Sequence, residues 1–329
     1  MAELVLGIGT SHSPMVSLDG EDWLVWGERD HAHPMLYTRD GRNVTYDEQL
    51  AAVGETMAPQ ATLERCCEGA ERVSAAMERL QETIAAAGLD VVVIVGDDQD
   101  EHLLSDNLPP FLVYWGDTMT NGSIDLAAGA PPIVQRFQPG YREPNGAVDY
   151  PVAVDLALHL IATAYDADFD VASSDRLPEP DRGMGHAFGF PLRRLLPAGV
   201  PIVPVMINTY NPPSQPRASR CLAFGQAIRQ AIDSFDENVR VGVLASGGLS
   251  HFLVLEDLDR EVLDAFARND LDAVCAIPEA TYVAGTSEIK NWIAVAAACG
   301  DRSFDLIDYV PGYRTPIGSG TGLAFATWT

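Results

Sequence analysis

Three of the seven histidines follow turns built from small residues: His12 in GIGTSHSP, His186 in DRGMGHAFGF and His251 in LASGGLSHF. Imidazole nitrogen binds divalent iron, zinc or copper and can also move protons near neutral pH. Glycine and serine beside it let a metal or substrate approach the backbone closely. One histidine in such a setting is an ordinary loop residue; three together point to a shared site. A second concentration of chemistry follows the apolar run VVVIV, where Asp97, Asp98, Gln99, Asp100, Glu101 and His102 stand in succession. That stretch reads either as a solvated cap on a strand or as a metal or substrate site. Glu288, in AGTSEIKNWIAVAAACG, opens an otherwise apolar helical pattern, a place where negative charge is favourable in any protein, with Ser287 or Thr286 as the expected cap. His31 and His33 in RDHAHP form a weak HxH metal pattern, and His159 inside VDLALHLIA reads as a helix-face residue.

The elements that must position these groups follow from periodicity. Short apolar runs bounded by Gly, Pro or Asp predict strands at Leu4 to Gly9, Val91 to Gly96, Phe111 to Trp115, Pro201 to Ile207, Val239 to Ala245, Phe304 to Tyr309 and Leu323 to Trp328. Helical patterns lie between them, at about Ala61 to Ala87, Pro151 to Tyr165, Ala218 to Phe235, Arg260 to Ala267 and Ser287 to Ala298. Strands alternating with helices predict an α/β sheet covered on both faces. His12 and His251 then follow the carboxyl ends of strands, where open α/β sheets bind ligands. Residues 16 to 58 and 116 to 150 read as long loops, the kind that serve as lids or binding segments. Without a linker rich in Gly and Ser, one domain is the simpler expectation.

Composition narrows the partners. The chain has 329 residues, 47% of them apolar, ample for a core. With 21 Lys plus Arg against 47 Asp plus Glu, its formal charge of −26 repels nucleic acid and anionic membranes. A small anionic substrate would therefore need local positive charge. The five cysteines form no CxxC pair and read as reduced thiols in a cytoplasmic protein. The first residues carry no signal-peptide pattern and no run has the length of a membrane span, so a soluble protein is expected.

Taken together, GIGTSHSPM, VVVIVGDDQ with NLPPF, GMGHAFGFPL, PIVPVMINTYNPPSQPR, VGVLASGGLSHF, GTSEIKNWIAVAAA and TPIGSGTGLAFATW resemble the class III extradiol dioxygenases. This is the superfamily of the protocatechuate 4,5-dioxygenase β subunit, gallate dioxygenase and 3-O-methylgallate dioxygenase. The resemblance runs along nearly the whole chain. It implies an α/β fold with a mixed β-sheet core flanked by helices, a single catalytic domain over residues 1 to 329, and extradiol ring cleavage of a catechol-type substrate with dioxygen at non-haem Fe(II). By position, His12 and Glu288 match the first histidine and the glutamate that hold iron, His251 matches the acid–base histidine, and His186 matches a further active-site histidine. Two histidines and one carboxylate on one face of iron leave open positions for substrate and dioxygen.

Two departures stand out. In the β subunit of the protocatechuate enzyme the second histidine ligand follows an Asn-Asp pair at a strand end, and here Gln99 occupies that position. Three readings compete: Gln99 itself supplies a carbonyl oxygen, His102 reaches in from three residues later, or the site is no longer a two-histidine iron site. Gln99 is the preferred one. Where the protocatechuate enzyme has a Ser-Asn pair near the substrate carboxylate, this chain has Gly318, Ser319, Gly320 and Thr321, so Ser319 and Thr321 are the candidate substrate contacts. The resemblance also implies a homo-oligomer, with a lid from a small partner subunit or from residues 16 to 58. The alternative in the same fold is a zinc- or copper-binding hydrolase or a ligand-binding protein with an altered metal site.

Overall fold

The computed structural model describes residues 1–124, 130–179 and 182–329. The runs Val91–Asp97 and Ile202–Ile207 are rich in Val and Ile and buried at every position, as strands covered on both faces must be. Thirteen strands are formed among the described residues: β1 (Glu3–Thr10), β2 (Leu36–Tyr37), β3 (Asn43–Val44), β4 (Val91–Asp97), β5 (Phe111–Tyr114), β6 (Thr118–Asn121), β7 (Val148–Pro151), β8 (Ala172–Ser174), β9 (Ile202–Ile207), β10 (Arg240–Ser246), β11 (His251–Leu253), β12 (Phe304–Tyr313) and β13 (Ser319–Trp328).

Nine of these make one sheet in the order β11, β13, β1, β10, β4, β9, β5, β8, with β12 added on β13. β1, β10, β4 and β9 run parallel, each to the next. β13 is antiparallel to β1, β11 and β12, and β5 is antiparallel to β9 but parallel to β8. Helices on both faces of the sheet are what the alternation of strand and helix patterns predicted, and the mixed sheet is what the family resemblance implied. One apolar cluster fills each face: Phe224, Ile228, Trp292 and Trp328 belong to one, and Trp23, Leu80, Phe188 and Phe325 to the other.

The expected long helices form at Leu63–Ala87, Val154–Asp166, Ala218–Ser234, Glu256–Ala267 and Ile289–Cys299. The second begins three residues later than periodicity suggests, because Pro151 ends β7 opposite Thr118. The supposed loops carry structure of their own. Residues 16 to 58 hold the helices Gly20–Gly27 and Tyr46–Val53 and the β2–β3 pair, and residues 116 to 150 hold the β6–β7 pair and the helix Pro132–Phe137, with 125 to 129 outside the described residues. Helix His186–Arg194 escaped the periodicity reading because HAFGFPLRR places a glycine and Pro191 inside it.

Two close approaches fix the geometry of the site. A side chain at Gly9 would lie 2.3 Å from the Trp292 ring, and one at Gly7 would lie 2.2 Å from Cys299 Sγ. With only hydrogen at both positions, helix Ile289–Cys299 rests directly on the backbone of β1. Its N-terminus therefore lies at the carboxyl end of that strand. No helix among the described residues is long and apolar enough to cross a membrane.

Candidate active site

The carboxyl ends of the four parallel strands carry the chemistry. His12 follows β1 by two residues, Gln99 follows β4 by two, Tyr210 follows β9 by three, and His251 opens β11 after the turn that leaves β10. His186 is the first residue of its helix, which packs under β4 where Gly96 leaves room: a side chain there would lie 2.8 Å from Ala187 Cβ. Glu288 ends a 3-10 turn and caps helix Ile289–Cys299 with its backbone. Its side chain crosses to the histidines instead of capping the helix. Neither expected cap forms: Ser287 Oγ donates to Ala284 O, and Thr286 Oγ1 donates to His251 O at 3.1 Å. Asn291 and Trp292 moor the helix start to β10 by donating to Ser246 O (2.9 Å) and Gly247 O (2.7 Å).

Three imidazoles share one arrangement. His12 Nδ1 lies 3.0 Å from Ser246 Oγ, His186 Nδ1 lies 2.6 Å from Glu101 Oε2, and His251 Nδ1 donates to Leu249 O at 3.0 Å. Each ring is thus held at Nδ1, and each turns Nε2 towards Glu288 or its neighbours. His12 Nε2 is 3.3 Å from Glu288 Oε2, His251 Nε2 is 3.1 Å from Glu288 Oε1, and His12 and His186 bring their Nε2 atoms within 3.1 Å of each other. Glu288 also accepts from Gly248 N at 2.6 Å and from the Tyr210 hydroxyl at 2.8 Å. Gly247, at φ +119°, has no room for a side chain, which would lie 2.5 Å from Glu288 Oε2.

Burial and charge act against each other here. Burial raises Glu288, but His251 and His12 outweigh it and hold the carboxyl well below its ordinary range. Burial also raises Asp97, to about 6, with Glu288 adding to the effect. Burial lowers His186, yet the Glu101 charge and hydrogen bond, joined by Asp97 and Glu288, lift it to about 10. Burial likewise lowers His251, but the charge and hydrogen bond of Glu288 outweigh it and the net shift is upward.

His12, His186, His251, Gln99 and Glu288 are all brought together. Gln99, however, points its amide nitrogen inward, 3.1 Å from Glu288 Oε1, 3.2 Å from Asp97 Oδ2 and 3.2 Å from His186 Nε2. Between two carboxylates the donor end of an amide is the end that is attracted, so the carbonyl oxygen is turned away. His102 is not in the cluster. Asp98 accepts the N–H groups of Glu101, His102 and Leu103, and the tightened loop sends His102 to Gly183 O at 2.7 Å. Thr321 lines the cavity beside the cluster, whereas Ser319 is turned inward to Asp30 and Thr315. His31 and His33 do not converge on a metal; they stack on Tyr46 and Phe252 respectively, each with ring centroids 3.9 Å apart.

Sequence reasoning placed Asp97 and Glu101 in the acidic run without giving either a partner, and it missed Tyr210, Asn291 and the direct contact of Glu101 with His186. Asn291, one turn along the helix from Glu288, donates to Asp97 Oδ1 at 3.2 Å and ties the helix to β4. Tyr210 lay within the quoted motif NTYNPPSQPR but gave no pattern of its own. A cavity of about 290 Å³ opens beside the cluster, walled by Trp26, Phe137, Tyr141, Phe252, Arg142 and Arg314.

The family model described as the catalytic LigB subunit of aromatic ring-opening dioxygenase matches residues 57–324, a segment that contains every residue of the cluster except His12. A gallate dioxygenase of Pseudomonas putida is 40% identical over 75 residues, 22% of each chain. The 2,3-dihydroxyphenylpropionate/2,3-dihydroxicinnamic acid 1,2-dioxygenase of Paraburkholderia phymatum is 31% identical over 189 residues, 55% of this chain and 50% of the relative. The protein of that name from Comamonas testosteroni is 28% identical over 162 residues, 49% of this chain and 43% of the relative. The chain spans half or less of the length of these curated relatives.

Proposed function

Because this chain belongs to the family of the catalytic subunit of aromatic ring-opening dioxygenases, we propose that it performs extradiol cleavage of a catechol-type substrate with dioxygen at non-haem Fe(II). One observation carries the reading: imidazoles anchored at Nδ1 converge through Nε2 on one buried carboxylate, beside a cavity with aromatic walls. Fe(II) suits this donor set, since converging imidazole nitrogens and carboxylate oxygens are what a borderline divalent cation takes, and a cation would relieve the crowding of like groups. His12 and Glu288 would hold it. When bound, it supplies a Lewis acid for the diol and open positions for substrate oxygens and dioxygen.

The chain's own residues do the rest. His251 Nδ1 must be the donor to the Leu249 carbonyl, so Nε2 is the basic nitrogen, positioned to take a proton from a substrate hydroxyl. Tyr210, bonded to Glu288 and 3.3 Å from His251 Nε2, fixes the distance between base and carboxylate. Phe137, Tyr141 and Phe252 give the cavity the apolar aromatic surface that an aromatic substrate would pack against. Arg142 supplies the local positive charge that an acidic protein needs for an anionic substrate, the charge of Arg314 being taken up by Asp30.

The test is anaerobic reconstitution with Fe(II), then oxygen uptake and absorbance scans with protocatechuate, gallate, 3-O-methylgallate, 2,3-dihydroxyphenylpropionate and catechol. Fe(II)-dependent formation of a yellow ring-opened product, with one dioxygen consumed per substrate, is expected. Intact substrates in an Fe(II)-loaded chain would overturn the reading and return the hydrolase or ligand-binding alternative.

A further inference from the structure

We propose that His186 is a metal ligand in this chain, supplying from a helix N-terminus the imidazole that Gln99 does not supply from the end of β4. The inference rests on the reading of the cluster as a metal site and concerns which side chains complete it.

Geometry carries it. His186 Nε2 lies 3.1 Å from His12 Nε2. Neighbouring ligand atoms on an octahedral cation with bonds of about 2.1 Å stand about 3 Å apart, so the two nitrogens already have the spacing of adjacent ligands. One ligand atom from each of His12, Asp97 and His186 falls within 4.8 Å of the others, a grouping to which Gln99 adds only an N–H donor. A primary amide nitrogen has no lone pair to offer a metal, and here it donates to two carboxylates. The remaining nitrogen of His186 is bonded to Glu101 Oε2 at 2.6 Å, and the same carboxylate accepts His186 N–H at 3.0 Å. A carboxylate on the far nitrogen of an imidazole is the usual support of a metal-bound histidine, because it sets the tautomer and makes Nε2 a stronger donor. Glu101 is held in turn by Arg142 at 3.8 Å.

This arrangement also accounts for the opening of helix His186–Arg194. Gly185, just before it, leaves no space for a side chain, which would lie 2.7 Å from Glu101 Oε2. The acidic run after β4 thereby acquires a definite part: Asp98 folds the loop, Glu101 orients the imidazole, and Gln99 fills the vacated ligand position while bonding Asp97 and Glu288.

Copper(II) and cobalt(II) titrations of the full chain test this without turnover. Pulsed electron paramagnetic resonance of the Cu(II)-loaded chain should count two coordinated imidazoles in the parent and in Gln99→Ala, and one in His186→Ala. Calorimetric Co(II) affinity should fall about 10- to 100-fold in His186→Ala and less than about threefold in Gln99→Ala. The double variant Gln99→His/His186→Ala, which returns the imidazole to the strand end, should regain most of the loss and so separates a lost ligand from a lost fold. Two imidazoles persisting in His186→Ala, with affinity lost in Gln99→Ala, would overturn the assignment. Catechols left intact by a chain that shows the expected imidazole counts would remove ring cleavage and leave His186 as a ligand. Ring cleavage with parent-like Co(II) affinity in His186→Ala would do the reverse.

Discussion

The hydroxyl of Tyr210 stands 3.3 Å from Nε2 of His251 while donating its own proton to Glu288 at 2.8 Å. Having committed its hydrogen to the carboxylate, the phenol oxygen can only accept from His251, and it does so only when that imidazole is protonated at Nε2. Tyr210→Phe removes this acceptor and therefore lowers the His251 pKa. Steady-state rates should fall about tenfold, the worth of one hydrogen bond to a charged group. The acid limb of the kcat/KM profile should move to lower pH, and an unmoved limb would refute the pairing.

Gly285 gives a steric test of the same imidazole. A Cβ there would lie 1.9 Å from His251 Cδ2 and 2.2 Å from its Nε2. Gly285→Ala should cost about 100-fold in turnover by displacing the ring, with the bound metal retained. Adding it to His251→Ala should cost nothing further, because the group it displaces is gone. Additive losses would show that Gly285 acts elsewhere.

Arg142 and Arg314 both line the cavity, but they are not equally free. Arg314 is clamped by both oxygens of Asp30, at 2.7 and 3.0 Å, whereas Arg142 donates to the main-chain carbonyls of Arg182 and Met184, at 3.1 and 2.6 Å, and has its nearest carboxylate, Glu101, at 3.8 Å and shared with His186, so its charge is less fully cancelled. Arg142→Gln should thus raise KM for catechols bearing a carboxylate by about tenfold and leave KM for catechol itself nearly unchanged. Equal effects on both substrates would assign Arg142 a purely structural part.

Stability should report Asp259, which accepts from Ser250 N, Ser250 Oγ and Tyr309 Oη and so holds the turn that carries His251. Burial raises its pKa from 3.8 to about 6, against the lowering effect of the Tyr309 and Ser250 hydrogen bonds. A folded-state value above the unfolded one means that the native chain binds the extra proton. This contribution is complete below about pH 4 and is lost as pH rises through about 6. From pH 4 to 7 the stability of Asp259→Asn relative to the parent should improve by about 2 to 3 kcal/mol, measured by urea unfolding. A difference that stays flat across that range would contradict the shift.

The sheet and its long helices were legible because their apolar periods are unbroken; His12 and His251 were legible as turns at predicted strand ends and Glu288 as the opening of an apolar helical pattern, whereas His186 showed only through the small residues before it and the family resemblance. What stayed hidden depends on side-chain direction. Nothing in DDQDEH distinguishes an amide turned nitrogen-first into the cluster from one offering oxygen, since the two carboxylates that decide it, Asp97 and Glu288, are 191 positions apart. Ser319 and Thr321 stand two apart on β13 and so share a face, yet Thr321 meets Ser13 beside the cavity while Ser319 is taken up by Thr315 and Asp30, a difference that no alternation pattern carries. Tyr210 and Asn291 act through long-range contacts that leave no local pattern.

The place of β1 bears on how such a molecule is made. β1, made well before its neighbours, lies between β10 and β13, partners that begin at Arg240 and Ser319. At translation rates of about 5 to 20 residues per second, it waits on the order of ten seconds or more with both edges unpaired. His12 can meet Glu288 only after that interval. The set of His12, His186 and Glu288 is therefore complete only once Glu288 has been made, and the need for protection from aggregation should be greatest at β1.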